Sequence, residues 1–211
     1  NDQKIRGSSR LSTNVGLGYR KLSENKNTLS GANVFIDYDE KGNARASIGL
    51  ELRASAFEAI ANYYQALSDG KSVGDYTERS LDGMEISIIG EVPYLPWANI
   101  IVNSYEWQKN KNSKDSKGEK YSLELTLTPN FILEGGFDEN NIDAASFVKA
   151  YYVFPPRDRV AATTNFIGEA AFSSGDMSDE LLSKVRRTNK QIIESEILNN
   201  LSQTSKCLKK I

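Results

Sequence analysis

Few side chains of this 211-residue sequence are suited to catalysis or to metal binding. The sequence contains no His, which removes Ser-His-Asp and Cys-His nucleophile systems and the usual zinc sites. Its single cysteine, Cys207, can form neither an internal disulfide nor a cysteine-based metal site. Carboxylates are numerous, but no motif pairs two of them for acid–base catalysis. We therefore expect no enzyme, no cofactor and no metal site.

Two short stretches have the composition of ligand-binding loops but not the spacing. FIDYDEKGN contains Asp37 and Asp39, yet the calcium-loop spacing and its twelfth-position Glu are absent. GLGYRK lies within an alternating run instead of opening a helix, so it is not a nucleotide loop. The net charge of −2 gives no reason to expect nucleic acid as a partner.

The polar side chains are positioned by strands, because the dominant sequence pattern has a period of two. From Arg45 to Arg53, small and apolar residues share one face, while Arg45, Glu51 and Arg53 share the other. The run from Met84 to Val92 alternates in the same way with one exception, Ile89. We predict about nine strands, at 12–22, 30–39, 45–55, 57–67, 83–92, 98–108, 119–129, 131–139 and 145–154.

The lengths of these strands and of their connections favour a membrane barrel. Most of the strands have about nine to eleven residues, which is what a tilted strand needs to cross a bilayer. Every short turn after residue 50 falls at one end of the meander, and all four polar, mostly longer connections fall at the other, as in outer-membrane barrels. Alternation alone fits equally well an antiparallel sheet with one solvated face. The polar connections are 39–43, 68–82, 109–118 and 139–143.

Four ordered segments carry a resemblance to a known family. One is the pattern Asp75-Tyr76-x-Glu78-Arg79-x-x-x-Gly83-x-x-Ile86, followed by Pro93-x-x-Pro96 and Tyr105-Glu106. The others are NVGLGYRKL at 14–22, GANVFIDYDEKG at 31–42 and ELLSKVRRTNKQII at 180–193. In order and spacing the set resembles the β-domain of the intimin and invasin family, the inverse autotransporters.

The resemblance implies a function of anchoring and export in the bacterial outer membrane. The family barrel has twelve antiparallel strands, is inserted by the general barrel-assembly machinery, and lets the chain after its last strand pass back through the pore. That chain carries adhesin-type passenger domains, which would meet a host or surface receptor. This sequence would supply nine of the strands, and three N-terminal strands or self-association would close the barrel. Too few residues follow Ile193 for a folded passenger, so we do not carry the adhesive function over.

Three groups of site residues follow from this reading. Asp75, Tyr76, Glu78 and Arg79 are expected in an external loop, where they contact a ligand or pin the loop by ion pairs. Gly83 is expected to permit tight entry into a strand, and Pro93 and Pro96 to form a turn. Residues near strand ends are expected to form interfacial aromatic girdles: Tyr94, Trp97, Trp107, Tyr151, Tyr152 and Phe154.

The region after the last strand is predicted to contain a short helix over 178–187, with Ser178 as N-cap. Two interpretations stay open for it. In the first, the segment lies inside the pore, and Arg186, Arg187 and Asn189 contact the pore wall. The arginines would then meet Glu51, Glu85 or Glu124. In the second, the helix lies on the surface. Residues 190–210 are either an amphipathic tail or disordered. The predicted division is a barrel at 1–155 and a linker, helix and tail at 156–211.

The reading from sequence is therefore an all-β, antiparallel up-and-down barrel in the outer membrane, with the lipid bilayer as its first partner. The alternatives are a structural or pore-forming barrel without a passenger and, less favoured, a soluble ligand-binding barrel of the lipocalin kind. Charged residues on the alternate face argue against the last of these, because a small ligand-binding barrel needs an apolar interior.

Overall fold

A computed structural model describes residues 2–5, 8–109, 114–155 and 160–197 of the protein. Within these residues the fold is all-β and antiparallel, which confirms the predicted class. Ten strands form one large sheet and three short strands form a second sheet. In this part of the chain, no helix has the length and apolar character needed to cross a membrane.

The strand bounds are close to those that the alternation predicts. All nine predicted strands are present, and four additional short strands lie at residues 2–5, 71–73, 76–80 and 193–197. The bounds are β1 Asp2–Ile5, β2 Ser8–Leu22, β3 Thr28–Asp39, β4 Ala44–Ala54, β5 Phe57–Ala66, β6 Lys71–Val73, β7 Tyr76–Ser80, β8 Asp82–Val92, β9 Leu95–Gln108, β10 Ser116–Thr128, β11 Phe131–Asn140, β12 Ala144–Tyr152 and β13 Ile193–Ile197.

The large sheet is an up-and-down meander in the order β1-β2-β3-β4-β5-β8-β9-β10-β11-β12. Two-residue turns join β4 to β5, β8 to β9 and β10 to β11, and together with residues 23–27 they form what we call the turn end. The opposite, loop end carries the longer insertion 67–81, whose β6–β7 hairpin belongs to the second sheet. A meander places alternate connections at opposite ends, so this asymmetry follows directly from the connection lengths.

The two faces of the sheet have opposite chemistry. On β4, Leu50 is 60 % exposed, whereas Arg45 has no exposed surface and Glu51 and Arg53 are buried. The sheet curves around residues 178–192, because β3 and β10, which lie far apart in the strand order, both contact that segment. Its apolar face is therefore the outside, and its charged face lines the lumen around this segment.

The sheet has two edges that are not paired with each other within the described residues. β1 pairs only with residues 8–11 of β2, and beyond Leu11 no second strand continues the sheet on that side of β2 within the described residues. The meander makes β2 and β12 run in the same direction, from the loop end to the turn end. To close the barrel with antiparallel pairs only, an odd number of additional strands must lie between β12 and β2. The four residues of β1 form part of one such strand.

Several details differ from the sequence-based expectations. The predicted helix over 178–187 is only a short 3-10 helix, Ser178–Leu182, with Met177 and not Ser178 at its N-cap. Pro96 is the second residue of β9, so the turn consists of Pro93 and Tyr94 alone.

Among the residues expected in aromatic girdles, two lie on the luminal face. Trp107 is buried against Tyr64, and the Tyr151 hydroxyl donates to Glu134. Both have the inward parity of their strands, which decides their direction whatever their distance from the strand end. The division at 155/156 stays a prediction. Of the predicted tail 190–210, residues 193–197 form β13, and the part beyond Ile197, including Cys207, lies outside the described residues.

Candidate functional site

The candidate site is the lumen together with the segment 178–192 that occupies it, which we call the luminal segment. It starts at the turn end, where the N–H of Met177 donates to the carbonyl of Lys26 over 2.8 Å. It ends at the loop end, where the next residues form β13 against β7. The chain therefore crosses from one mouth of the sheet to the other.

Before the chain enters the lumen, it runs across the turns of the large sheet. The N–H of Ala162 donates to the carbonyl of Thr126, and Tyr94 exchanges backbone hydrogen bonds with Gly168 and Ala171. Further along, Asp176 lies 3.3 Å from the ammonium group of Lys26. Hydrogen bonds from the hydroxyl and the backbone N–H of Ser178 lower the pKa of the Asp176 carboxyl. These contacts hold the entry of the luminal segment at the turn end.

Near the turn end of the lumen, wall arginines bind the backbone of the luminal segment. The guanidinium of Arg20 donates to the carbonyls of Leu181 over 2.9 Å and Ser183 over 2.6 Å, while it also pairs with Glu51. Arg53 donates to the Ser183 hydroxyl over 2.9 Å. Because carbonyls at the end of a helical turn lack partners within the helix, these arginines satisfy groups that burial would otherwise penalise.

Halfway along the lumen, Arg186 binds two wall carboxylates. Its guanidinium makes a bidentate pair with Glu124 of β10, at 2.9 and 3.0 Å, and lies 3.2 Å from Glu58 of β5. A fork of two parallel N–H donors fixes the orientation of the side chain as well as its charge. The contact bridges strands on different sides of the lumen.

The next residue, Arg187, pairs with Asp37 of β3, and that carboxylate also accepts from Arg45 of β4 over 2.7 Å. All three side chains are buried. The Arg187 guanidinium lies 4.5 Å from the ring centre of Phe35, and that of Arg45 lies 4.4 Å from the ring of Tyr64. The two guanidinium groups therefore share the carboxylate of Asp37, and each lies against an aromatic ring. These contacts compensate part of the free-energy cost of burying two cations.

Backbone and hydroxyl groups continue this pattern toward the loop end. The hydroxyl of Thr188 donates to Glu85 over 2.7 Å, and its carbonyl accepts from Arg45 over 2.8 Å. The side chain of Asn14 donates to the carbonyl of Asn189 over 3.0 Å. The predicted pore residues thus lie in the lumen. Arg186 meets Glu124, one of the three expected carboxylates, whereas Arg187 meets Asp37, which sequence reasoning had examined only as a calcium ligand.

The residues predicted for an external loop lie on or beside the β6–β7 hairpin at the loop end. Asp75 is in its exposed turn, whereas Tyr76, Glu78 and Arg79 belong to β7. Glu78 is buried and pairs with Arg10 of β2 at 2.7 Å. The hairpin is therefore fixed to the wall of the large sheet, and a ligand-binding role for its exposed residues stays a prediction.

Gly83 lies where β8 approaches the Trp107 ring. A β-carbon at this position would meet that ring and would lie 2.6 Å from the backbone oxygen of Glu106. The glycine is thus required by a close approach, and not by the backbone freedom expected from sequence.

Within the described ranges, no group of His, Cys, Asp or Glu residues could hold a metal ion. Sequence reasoning missed Arg20, Arg53 and Tyr64 as contacts of the luminal segment. Their inward parity was readable from the alternation, but their partners lie 124 to 163 residues away in sequence. Parity identifies the face of a strand and not what occupies the lumen.

Comparison with known proteins agrees with this geometry. A solved structure from work described as "Unveiling the Mechanism Behind the in-meso Crystallization of Membrane Proteins" has the same fold, with a TM-score of 0.69 at 19 % identity over 89 % of this chain and 81 % of that one. A search of the curated proteins finds no match. Residues 3–196 match the family model "Inverse autotransporter, beta-domain". The chain belongs to the inverse autotransporter β-domain family.

Proposed function

We propose that this domain anchors an inverse autotransporter in the bacterial outer membrane, and that polypeptide following the luminal segment reaches the cell surface through the lumen. Family membership implies the anchor and translocator role and the outer membrane as its place. The observation that carries the proposal is the path of the chain. It enters at the turn end beside Lys26 and emerges at the loop end as β13.

The outer face supports the bilayer as a partner. Its large apolar side chains are widely exposed, for example Val15, Leu17 and Leu50, and they recur on strand after strand. Exposing an apolar surface of this extent to water is unfavourable, whereas contact with lipid tails is favourable. Insertion through the barrel-assembly machinery is part of the same proposal, because unpaired strand edges are costly in a bilayer until the sheet has closed.

The inner face supports passage of a polypeptide. Wall groups such as Arg20 and Asn14 donate to backbone carbonyls of the luminal segment, and Glu85 accepts from a backbone N–H. Such wall groups can replace water as hydrogen-bond partners of the backbone of a passing chain. Passage then needs no covalent step. The occupied lumen also argues against a freely open pore, and its buried charges argue against a site for apolar ligands. Adhesion would belong to a passenger of the adhesin type that meets a host or surface receptor, and this domain would supply only its anchor and export route.

The proposal is tested on the native gene product in its own cells. An epitope tag is added after Ile211, outer membranes are isolated, and boiled and unboiled samples are compared by gel electrophoresis. We expect a membrane-fraction band that shifts on boiling and a tag that protease removes from intact cells. A band in the soluble fraction without a heat shift would overturn the membrane role, and a tag protected on intact cells would overturn the export route.

A further inference from the structure

We infer that the loop-end mouth contains a stop site that recognises Gln191 and Ile192 and captures Ile193–Ile197 as a strand, so that it sets how far the exported chain advances. This inference rests on the proposed export function and goes beyond it, because a channel for passage needs no fixed stopping point. Three independent features of the mouth support it.

The first feature is a site for the side chain of Gln191. This side chain has no exposed surface, donates to the carbonyl of Asn43 over 3.1 Å and accepts from the hydroxyl of Ser80. Asn43 and Ser80 are equally buried. Sliding the chain by one residue would place Lys190 or Ile192 here. A Lys190 ammonium group would then have to be buried as a charge, and an Ile192 side chain would leave the carbonyl of Asn43 and the hydroxyl of Ser80 without their present partner.

The second feature is an apolar cluster next to that site, at a point where most of the lumen wall is polar. Ile192 packs against Tyr64, Leu81 and Trp107. The N–H of Leu81 donates to the carbonyl of Ile192 over 2.9 Å. An amide side chain followed by a branched apolar side chain therefore fits two adjoining subsites of different polarity.

The third feature is the strand capture itself. Ile193–Ile197 pairs antiparallel with β7 in one register, from Ile193 opposite Ser80 to Ile197 opposite Tyr76. Main-chain pairing of this kind binds an extended peptide, and side-chain subsites give it a register. A slip of one residue would reverse the face of every side chain in β13.

The capturing hairpin is anchored to the wall and can therefore resist a pulling chain. Glu78 of β7 pairs with Arg10, which lies 3.1 Å from Asp39. Asp39 in turn accepts from the side chain of Asn43 over 3.0 Å, and Asn43 offers its carbonyl to Gln191. One continuous buried network thus joins the hairpin, the wall of β2 and β3, and the arrested chain.

The test measures the register by disulfide trapping in outer membranes of cells that express the tagged full chain. Cys207→Ser removes the native thiol. Thr77→Cys is then combined with Glu196→Cys, which lies directly opposite it, or with Glu194→Cys, which lies opposite only after a slip of two residues. Directly opposite residues are close enough for a disulfide. We expect the in-register pair to form at least about ten times more disulfide than the slipped pair.

The stop site is then changed within both cysteine pairs. Gln191→Leu should lower the in-register to slipped ratio about tenfold, as expected for the loss of a buried hydrogen-bonded group. Lys190→Leu, at the exposed neighbouring residue, should leave the ratio within about twofold, since surface substitutions have small effects. Ser80→Ala, which keeps the exported segment intact, should lower the ratio in the same direction and covers the case in which Gln191→Leu prevents folding.

Export of the chain and its arrest in one register are measured by two different experiments. Surface protease on the tag reports export, whereas the disulfide ratio reports the register, so failure of one does not imply failure of the other. A ratio that Gln191→Leu and Ser80→Ala both leave unchanged in heat-shifting protein would overturn the stop site. So would a ratio that collapses with Arg187→Gln alone, because the register would then be set in the middle of the lumen.

Discussion

Arg187 and Asp37 are 150 residues apart in sequence, yet their side chains form a buried ion pair in the lumen. Asp37 belongs to the wall and Arg187 to the segment that the wall encloses. Arg45 shares the same carboxylate. The pair therefore ties the position of the luminal segment to that of β3 and β4.

Replacing the shared carboxylate should destabilise the folded domain strongly. Asp37→Asn leaves two buried guanidinium groups with no anionic partner at this position. We expect this change to lower the free energy of unfolding by about 3–5 kcal/mol. The measurement is urea unfolding in lipid vesicles. Asp176→Asn, at an exposed carboxylate, is the control and should change this free energy by less than about 1 kcal/mol. Equal effects of the two substitutions would contradict a special role for the buried pair.

Arg186 and Glu124 should be energetically coupled. A double-mutant cycle with Arg186→Met and Glu124→Gln should give an interaction free energy of about 1–3 kcal/mol, because the contact is bidentate and its side chains are only 30 % and 10 % exposed. The control cycle uses Lys117 and Glu106, a more exposed pair at 2.8 Å, for which about 0–1 kcal/mol is expected. A coupling near zero for Arg186 and Glu124 would show that the segment does not depend on this contact.

Two glycines of β8 should respond differently to the same substitution. Gly83→Ala introduces a methyl group against Trp107 and a backbone oxygen, and we expect a loss of about 1–3 kcal/mol in the free energy of unfolding. Gly90→Ala has no atom within 4 Å of the new methyl group and should be neutral or slightly stabilising. Urea unfolding of both variants in lipid vesicles is the measurement. Similar losses at both positions would refute the close-approach explanation.

A charge on the outer face should be penalised by lipid. Leu50 lies near the middle of β4 and points outward, so Leu50→Arg should cost about 2–4 kcal/mol in lipid vesicles, as expected near the bilayer midplane. Glu24→Arg introduces the same side chain at an exposed turn position and should have little effect. If the two variants unfold at the same urea concentration, the apolar face does not contact lipid.

The sequence predicted the wall of this domain well because each strand carries its own information. Alternation is a local property, so the inward direction of Arg45, Glu51 and Arg53 could be read from nine consecutive residues. The one exception to the pattern in β8, Ile89, is also visible in the local sequence. Its side chain lies inside, in a small apolar cluster with Ile60 and Ile101. Only the existence of that cluster required the neighbouring strands.

The sequence by itself determined nine strands of the large sheet, their faces, the difference between the two ends of the meander and the family. The tertiary structure decided what the inward side chains contact. It also limited the predicted helix to a 3-10 helix over Ser178–Leu182 and made strands of residues 76–80 and 193–197. The physical reason is distance along the chain. Strand parity depends on neighbours in sequence, whereas the pairing of Arg187 with Asp37 and of β13 with β7 exists only after the sheet has curved around the segment that it holds.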